Sequence, residues 1–491
     1  MKNFLLNISK QSFIADYIGK GISFTYNLFP YFFITLTFLL SLLFVSSNLT
    51  LLITSIIFSF VLYQKTKNLE LTIFLGLITT LPFAKGKTFE LILLENNQVS
   101  TNSLFDIDYS FPIYLSDIFL FALIWVLIRN KNIVNKIKNF NISTSQTWFV
   151  VFILITIVSG FFSKFPIVSL LSSAQILRLL LLMVIPLIIN SKIKIKTIIE
   201  TTVASVLFQT LLIFLQKINN GTLGIYIESF MLKEEFGIRS NENIDILRLT
   251  GSFFEPSILG TFLLINFSLL LNSLKKLKNN KIKKLVLLAL LGCFIGIILT
   301  ASRGIYLLFF AYIIYEIILV VKNRNLKLKT INKNLLLAII IIVAVFLPYF
   351  SNRIFDFSKI FSKLGSGTYR LQLAEESFLL AKNNLLGVGI NLSPYNFAIQ
   401  KFSKEIIFDP AHPHNIFFQI LAETGFIGLT IFSFFIFYTI KEIPQLNKNL
   451  FFYPIILFLI AAQFYPIFIN QSEITSYLFL FIGLSKKYSK S

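Results

Sequence analysis

The sequence predicts an all-α polytopic integral membrane protein, and three observations predict it. Hydrophobic residues make up 55% of the 491 positions, charged residues only 14%, and the mean hydropathy is +0.78. The apolar residues are gathered into runs of about 20, the length that crosses a hydrocarbon layer about 30 Å thick. Lysines collect between the runs, in short segments. In hydrocarbon a backbone donor or acceptor finds no water, so an apolar run must satisfy its own hydrogen bonds as a helix. About 12–14 transmembrane helices follow, in a single membrane domain over 1–491.

In chain order, Met1–Asn27 mixes lysines with Phe4, Leu5, Ile8, Phe13, Ile14 and Ile18 and has no small-residue cleavage site. It reads as an interfacial amphipathic segment leading into the first span. Candidate spans follow at 28–46, 49–63, 70–84, 113–128, 147–162, 168–190 and 197–216. The second half adds 255–273, 284–301, 304–321, 335–350, 415–440, 450–469 and 473–484. Several are short enough to be re-entrant. Three connections are long, at 85–112, 217–254 and 351–413, the last a large loop with a predicted helix around Arg370–Leu380. Long structured loops carry function more often than short ones.

The net charge of +21 would suggest nucleic acid in a soluble protein. Here the lysine clusters at 192–196, 275–284 and 322–333 recur after every second span, which is the positive-inside pattern. Membrane lipids with anionic head groups explain them, and nucleic acid is not an expected partner. Alternating the spans puts both termini and most basic residues in the cytoplasm. A single cysteine, Cys293, excludes an intrachain disulfide and reads as a helix-packing residue.

The chain strongly prefers lysine, yet of its eight arginines only Arg129 and Arg324 lie in cytoplasmic loops. Arg239, Arg248, Arg303, Arg353 and Arg370 fall in or beside external loops, and Arg178 lies inside a span. A guanidinium grips phosphate or carboxylate in a bidentate way and keeps its charge, so an external anionic ligand is implied. For Arg239 and Arg353 a solvated charge is an adequate account. An ionised Arg178 at that depth demands a polar cavity or a partner. The two histidines, His412 and His414, stand in Ala411-His412-Pro413-His414-Asn415 at the external mouth of a span. Neutral imidazole can accept a hydroxyl proton. Two histidines without supporting acids make a poor zinc site, and Asp106-Ile107-Asp108 has the D-x-D spacing of some metal-dependent glycosyltransferases by spacing alone. No metal and no cofactor are expected.

Four segments resemble the O-antigen ligase and O-antigen polymerase family of bacterial membrane glycosyltransferases. Arg248-Leu249-Thr250-Gly251-Ser252-Phe253-Phe254-Glu255-Pro256-Ser257 is similar to that family's R-x-x-G-x-F-x-x-P-(N/S) segment. Thr300-Ala301-Ser302-Arg303-Gly304 resembles its T-x-S-R-G turn. Arg370 followed by Asn383-Asn384-Leu385-Leu386-Gly387-Val388-Gly389 resembles a large-loop helix ending in N-P-L-x-G-x-G, with Leu385 where proline is usual. The stretch from His414-Asn415 through Glu423-Thr424-Gly425 to Gly428 matches H-N-x-x-(L/F)-x-x-x-x-E-x-G-x-x-G. The resemblance covers 248–430.

What the resemblance implies is transfer or polymerisation of a glycan from an undecaprenyl-diphosphate carrier onto a hydroxyl acceptor, with inversion and without metal. The place would be the periplasmic face of the bacterial inner membrane. Arg178, Arg248, Arg303 and Arg370 are then candidates to hold the diphosphate, and His414 with Arg303 to act in catalysis. Glu255, Asn415 and His412 would support them. Glu423 would be a structural helix partner, with Gly425 and Gly428 permitting close packing. The acceptor stays open between a lipid A-core sugar, the growing glycan and a protein hydroxyl, the last making the chain a protein O-oligosaccharyltransferase. A lipid-linked glycan flippase or transporter is the competing class. It would carry midplane charges in repeated halves, whereas charge here collects at one face.

Overall fold

The computed structural model describes residues 29–83, 86–90, 110–130, 140–189, 193–228, 237–238, 246–253, 255–322, 366–391, 413–443, 449–465 and 472–489, with isolated positions 133, 135, 395 and 398. The expected N-terminal amphipathic segment, the run 335–350, Asp106, Asp108, Arg239, Arg353 and His412 lie outside the described residues. Every other apolar run is occupied by a helix. These are α1 (Pro30–Ser41), α2 (Asn48–Thr66), α3 (Leu69–Thr80), α4 (Leu115–Arg129), α5 (Thr144–Phe161), α6 (Pro166–Ile188) and α7 (Ile195–Ile218). They continue with α8 (Pro256–Leu274), α9 (Asn280–Thr300) and α10 (Arg303–Lys322). The helix expected in the last long connection is α11 (Ser366–Asn383), and α12 (Ile416–Glu442), α13 (Phe452–Ala461) and α14 (Ser472–Ser489) complete the chain.

Short polar signals start these helices. Ser47 Oγ accepts from Thr50 N–H at 3.2 Å and Thr50 Oγ1 from Ser47 N–H at 3.0 Å, a reciprocal cap on α2. Ser143 and Gln146 repeat the arrangement on α5. Asn68, Asn279 and Asn415 cap α3, α9 and α12. α1, α6 and α8 open on a proline, whose missing N–H is harmless at the first helical position.

Seven helices among the described residues are long and apolar enough to cross a membrane: α2, α5, α6, α7, α8, α9 and α12. α1, α3 and α13 are apolar but shorter. At 1.5 Å per residue, α3 reaches only about 18 Å, short of a full crossing. Two antiparallel strand pairs add a detail the all-helical reading omits: β1 (Gly86–Glu90) with β2 (Ser110–Tyr114), and β3 (Gly237–Ile238) with β4 (Ile246–Leu247). Both belong to long connections.

α8 is buried along nearly its whole length and packs on α7, α9, α10, α13 and α14. By contrast α2 exposes Ile53, Ile56, Ile57 and Phe60, an apolar face suited to lipid. Phe149, Phe435 and Phe479 lock α5, α12 and α14 together, with ring centroids 4.6 to 5.7 Å apart. The antiparallel order brings the ends of α7, α9 and α13 to one end of the bundle with the starts of α8, α10 and α12.

Candidate active site

At that end the first element is the turn from Arg248 to Phe253. Gly251 has φ +61°, a left-handed conformation that admits glycine most readily. Two glutamines of α7, about two turns apart on one helix face, grip this turn. Gln216 Oε1 accepts from Gly251 N–H at 2.9 Å while its Nε2 donates to the Gly251 carbonyl at 2.8 Å. Gln209 Oε1 accepts from Ser252 N–H at 3.0 Å, and Gln209 Nε2 donates to Ser252 Oγ at 2.5 Å. Buried backbone polar groups are thereby satisfied in a segment with no ladder of its own. Leu249 N–H donates to the Leu299 carbonyl at 3.3 Å and Arg248 Nε to the Thr300 carbonyl at 3.5 Å, which fixes the turn against the end of α9. Glu255 sits immediately before Pro256 at the start of α8 and accepts from Ser257 Oγ at 2.9 Å.

The turn between α9 and α10 is the second element. Ala301 takes φ +50° and ends α9, and Arg303 begins α10. Between them, Ser302 Oγ meets the Tyr465 hydroxyl at 2.5 Å. A Cβ on Gly304 would lie 2.7 Å from the same hydroxyl, so the glycine makes room for this tyrosine. Arg370, on α11, places its guanidinium 6.0 Å from the centroid of the Tyr465 ring, a cation–π contact.

His414 is the third element. Its ring stands edge-on to Tyr369 with centroids 6.3 Å apart, and its buried Nδ1 has no hydrogen-bond partner among the described residues. Asn415 caps α12, its Oδ1 accepting from Phe417 N–H at 2.9 Å and Phe418 N–H at 3.3 Å. Asn415 Nδ2 donates to Gln463 Oε1 at 3.1 Å, and Ile416 N–H donates to the Ala462 carbonyl at 2.9 Å.

The electrostatics tie the three elements together. Burial pushes the His414 imidazolium down to about 4, and the nearby Arg370 charge pushes the same way. The imidazole is therefore neutral at pH 7. Arg370 is lowered by burial and by Arg303, against the favourable field of Tyr465. Burial likewise lowers Arg248, which Tyr465, Glu255 and Tyr306 favour and Arg303 opposes. Arg370 and Arg248 keep their charge, since a guanidinium holds its proton far above neutral pH. Arg248, Arg303, Arg370 and His414 thus share one site, and among the described residues no carboxylate lies within 4 Å of any of the three arginines.

Arg178 has different partners. Its Nη1 pairs with Asp117 Oδ1 at 2.9 Å, its Nη2 donates to Ser476 Oγ at 2.7 Å, and its guanidinium lies 5.2 Å from the Tyr114 ring centroid. The pairing that an arginine at this depth demands is thus present. Among the described residues no group of three or more His, Cys, Asp or Glu side chains is placed to hold a metal ion.

Gly425 permits the close packing expected of it and also breaks the helix. Its φ of +70° and ψ of −171° break α12, and a side chain there would collide with the Leu385 carbonyl. The break frees carbonyls that the Asn384–Gly389 loop uses: Val388 N–H donates to Ala422 O at 3.0 Å and Gly389 N–H to Glu423 O at 3.1 Å. Ser159 Oγ of α5 also reaches Glu423 O, at 2.7 Å, and the buried Glu423 carboxylate accepts from Gln419 Nε2 at 3.2 Å. The kink is therefore the dock that holds α11, and with it Arg370, over the mouth of α12.

Residues 287–433 match the family model described as O-antigen ligase. The chain carries an O-antigen ligase domain. That domain contains Arg303, Arg370 and His414, and with the long apolar helices it marks the chain as a multi-pass membrane protein of glycosyl-transferring type. No curated protein matches the chain. Gln209, Gln216, Gln463 and Tyr465 fall outside the O-antigen ligase match and outside the motifs read from sequence. The one available signal for the glutamines is two amides at helical spacing inside an apolar run.

Proposed function

We propose that the chain transfers or polymerises an undecaprenyl-diphosphate-linked glycan onto a hydroxyl acceptor, with inversion, at the outer face of the bacterial inner membrane. The observation that carries this reading is the run of neighbouring groups Arg248, Arg303, Arg370 and His414, each coupled to the next, with His414 buried and neutral. His414 takes the proton of the acceptor hydroxyl as its oxygen attacks the anomeric carbon. The bond from that carbon to the carrier diphosphate breaks on the opposite side, and its electron pair leaves on the phosphate oxygen. The three arginines stabilise the charge that develops there, the task that electropositive groups perform best in a water-poor site. Burial first and the Arg370 charge second keep His414 neutral, and both make it a weak base. Binding of the diphosphate offsets Arg370, so the imidazole gains basicity when the donor is in place.

Glu255 supports Arg248 from the start of α8, and Asn415 aims His414 by capping α12. The assigned role of Arg178 is to hold the carrier within the membrane layer, in a position set by Asp117 and Ser476. Transfer by the purified protein, with lipid-linked donor and hydroxyl acceptor, tests the reading. His414→Ala and Arg303→Ala are expected to abolish transfer while inserting normally, and EDTA to leave the wild type active. Full activity in both variants would sink it.

A further inference from the structure

The end of α13 touches both halves of the candidate site. On one side, the Tyr465 hydroxyl meets Ser302 Oγ at 2.5 Å, directly before Arg303, while its ring lies 6.0 Å from the Arg370 guanidinium. Phe464 lies beside the same turn, its Cβ 3.5 Å from where a Gly304 side chain would begin. On the other side, the Ala462 carbonyl accepts from Ile416 N–H at 2.9 Å, and Gln463 Oε1 accepts from Asn415 Nδ2 at 3.1 Å, directly after His414. Gln463 is itself held, its Nε2 donating to the Leu459 carbonyl at 3.0 Å. One short turn therefore bonds to the residue preceding Arg303 and to the residue following His414.

We infer that the turn from Ala462 to Tyr465 is a positioning element that sets the spacing between the arginine group and His414, with Tyr465 registering the Arg303 turn and Gln463 the start of α12. This rests on the glycan-transfer reading. It concerns residues beyond 287–433, so the family match says nothing of them. The physical case is that the starts of α10 and α12 are both bonded to this turn. Each begins at this turn, and a displacement of about 1 Å between a base and the group it serves can cost about 100-fold in rate. Tyr465 does two jobs that substitutions can separate. Its ring sits against Arg370 and Gly304, and its hydroxyl bonds Ser302.

The test is steady-state transfer by the purified full chain with donor and acceptor varied independently. Tyr465→Phe, which keeps the ring, and Ser302→Ala are each expected to raise the donor KM about tenfold with the acceptor KM unchanged. The double variant should be no worse than the poorer single one, because both remove one bond. Gln463→Met is expected to lower kcat about tenfold with the donor KM unchanged, and Gln463→Glu, which keeps an oxygen for Asn415, to restore most of it. A merely structural turn would lower thermal stability without splitting donor KM from kcat in this way. Should Tyr465→Phe insert poorly, Ser302→Ala carries the same arm. Additive losses in the double variant, or unchanged kinetics in Tyr465→Phe and Gln463→Met while His414→Ala and Arg303→Ala are dead, would overturn this inference and leave the functional reading standing. Activity in His414→Ala and Arg303→Ala would overturn both.

Discussion

The two ends of the bundle treat charge in opposite ways. At the lysine end, Lys486 Nζ lies 2.5 Å from Glu442 Oε2 and donates to Ser145 Oγ at 2.5 Å and Ser143 Oγ at 2.6 Å, tying α14 to α12 and the start of α5. Lys275 pairs with Glu316 at 3.2 Å and Lys196 with Glu200 at 3.6 Å. Glu200 Oε2 also accepts from Tyr31 N–H at 3.2 Å at the start of α1. These three lysines are matched by carboxylates and serve the fold. At the arginine end, Arg303 repels both Arg248 and Arg370, and Arg370 in turn faces a neutral His414, within a mostly buried setting. Three neighbouring cations with Glu255 as the one carboxylate acting on Arg248 among the described residues fit a site that takes an anion.

Substitutions at the two ends should have opposite effects on activity and stability. His414→Ala and Arg303→Ala are each expected to cut transfer by about 100-fold or more while leaving the melting temperature in detergent within a few degrees. Lys486→Met should do the reverse. It leaves Glu442 with an uncompensated charge and is expected to cost about 3–5 kcal/mol in thermal or denaturant stability, with transfer by the folded fraction changed less than threefold. Restoring neutrality with Glu442→Gln in the same chain should recover most of that loss. A Lys486→Met protein as stable as wild type would remove the basis for calling that end structural.

A finer test uses pH. With Arg370 present, His414 stays neutral down to about 4. Removing that charge in Arg370→Gln raises the His414 pKa, so the acid limb of kcat/KM must move to higher pH, whatever happens to its plateau. An acid limb that stays in place or moves down would exclude coupling between the two residues. The smallest effect belongs to Asn415→Ala, which deletes two cap bonds and is expected to destabilise by about 1 kcal/mol, together with a drop in kcat, as read by melting curves and kinetics.

Much of this end is legible in the chain itself. Arg303, Arg370 and His414 stand out because arginine and histidine are rare in a lysine-rich sequence, and the structure brings them together with Arg248. The helices are legible because lipid leaves an apolar run no alternative. What stays hidden is what depends on contacts between distant segments. Nothing local distinguishes Tyr465 from the chain's other tyrosines until α13 is seen against Ser302. Gly425 and Gly428 look alike at helical spacing, yet only Gly425 breaks the helix, because the Asn384–Gly389 loop needs the freed carbonyls. Arg178 is visible as an anomaly, and its partner Asp117 is identified only by the packing of α4 beside it.

If the arginines hold the donor's diphosphate and His414 serves the acceptor, binding and transfer are separable. Undecaprenyl diphosphate without a glycan, titrated into wild type, Arg303→Ala and His414→Ala in detergent or nanodiscs, isolates the first step. Binding should weaken at least tenfold in Arg303→Ala and remain as tight as wild type in His414→Ala, although neither transfers glycan. Equal binding by all three proteins, or lost binding in His414→Ala alone, would contradict the claim.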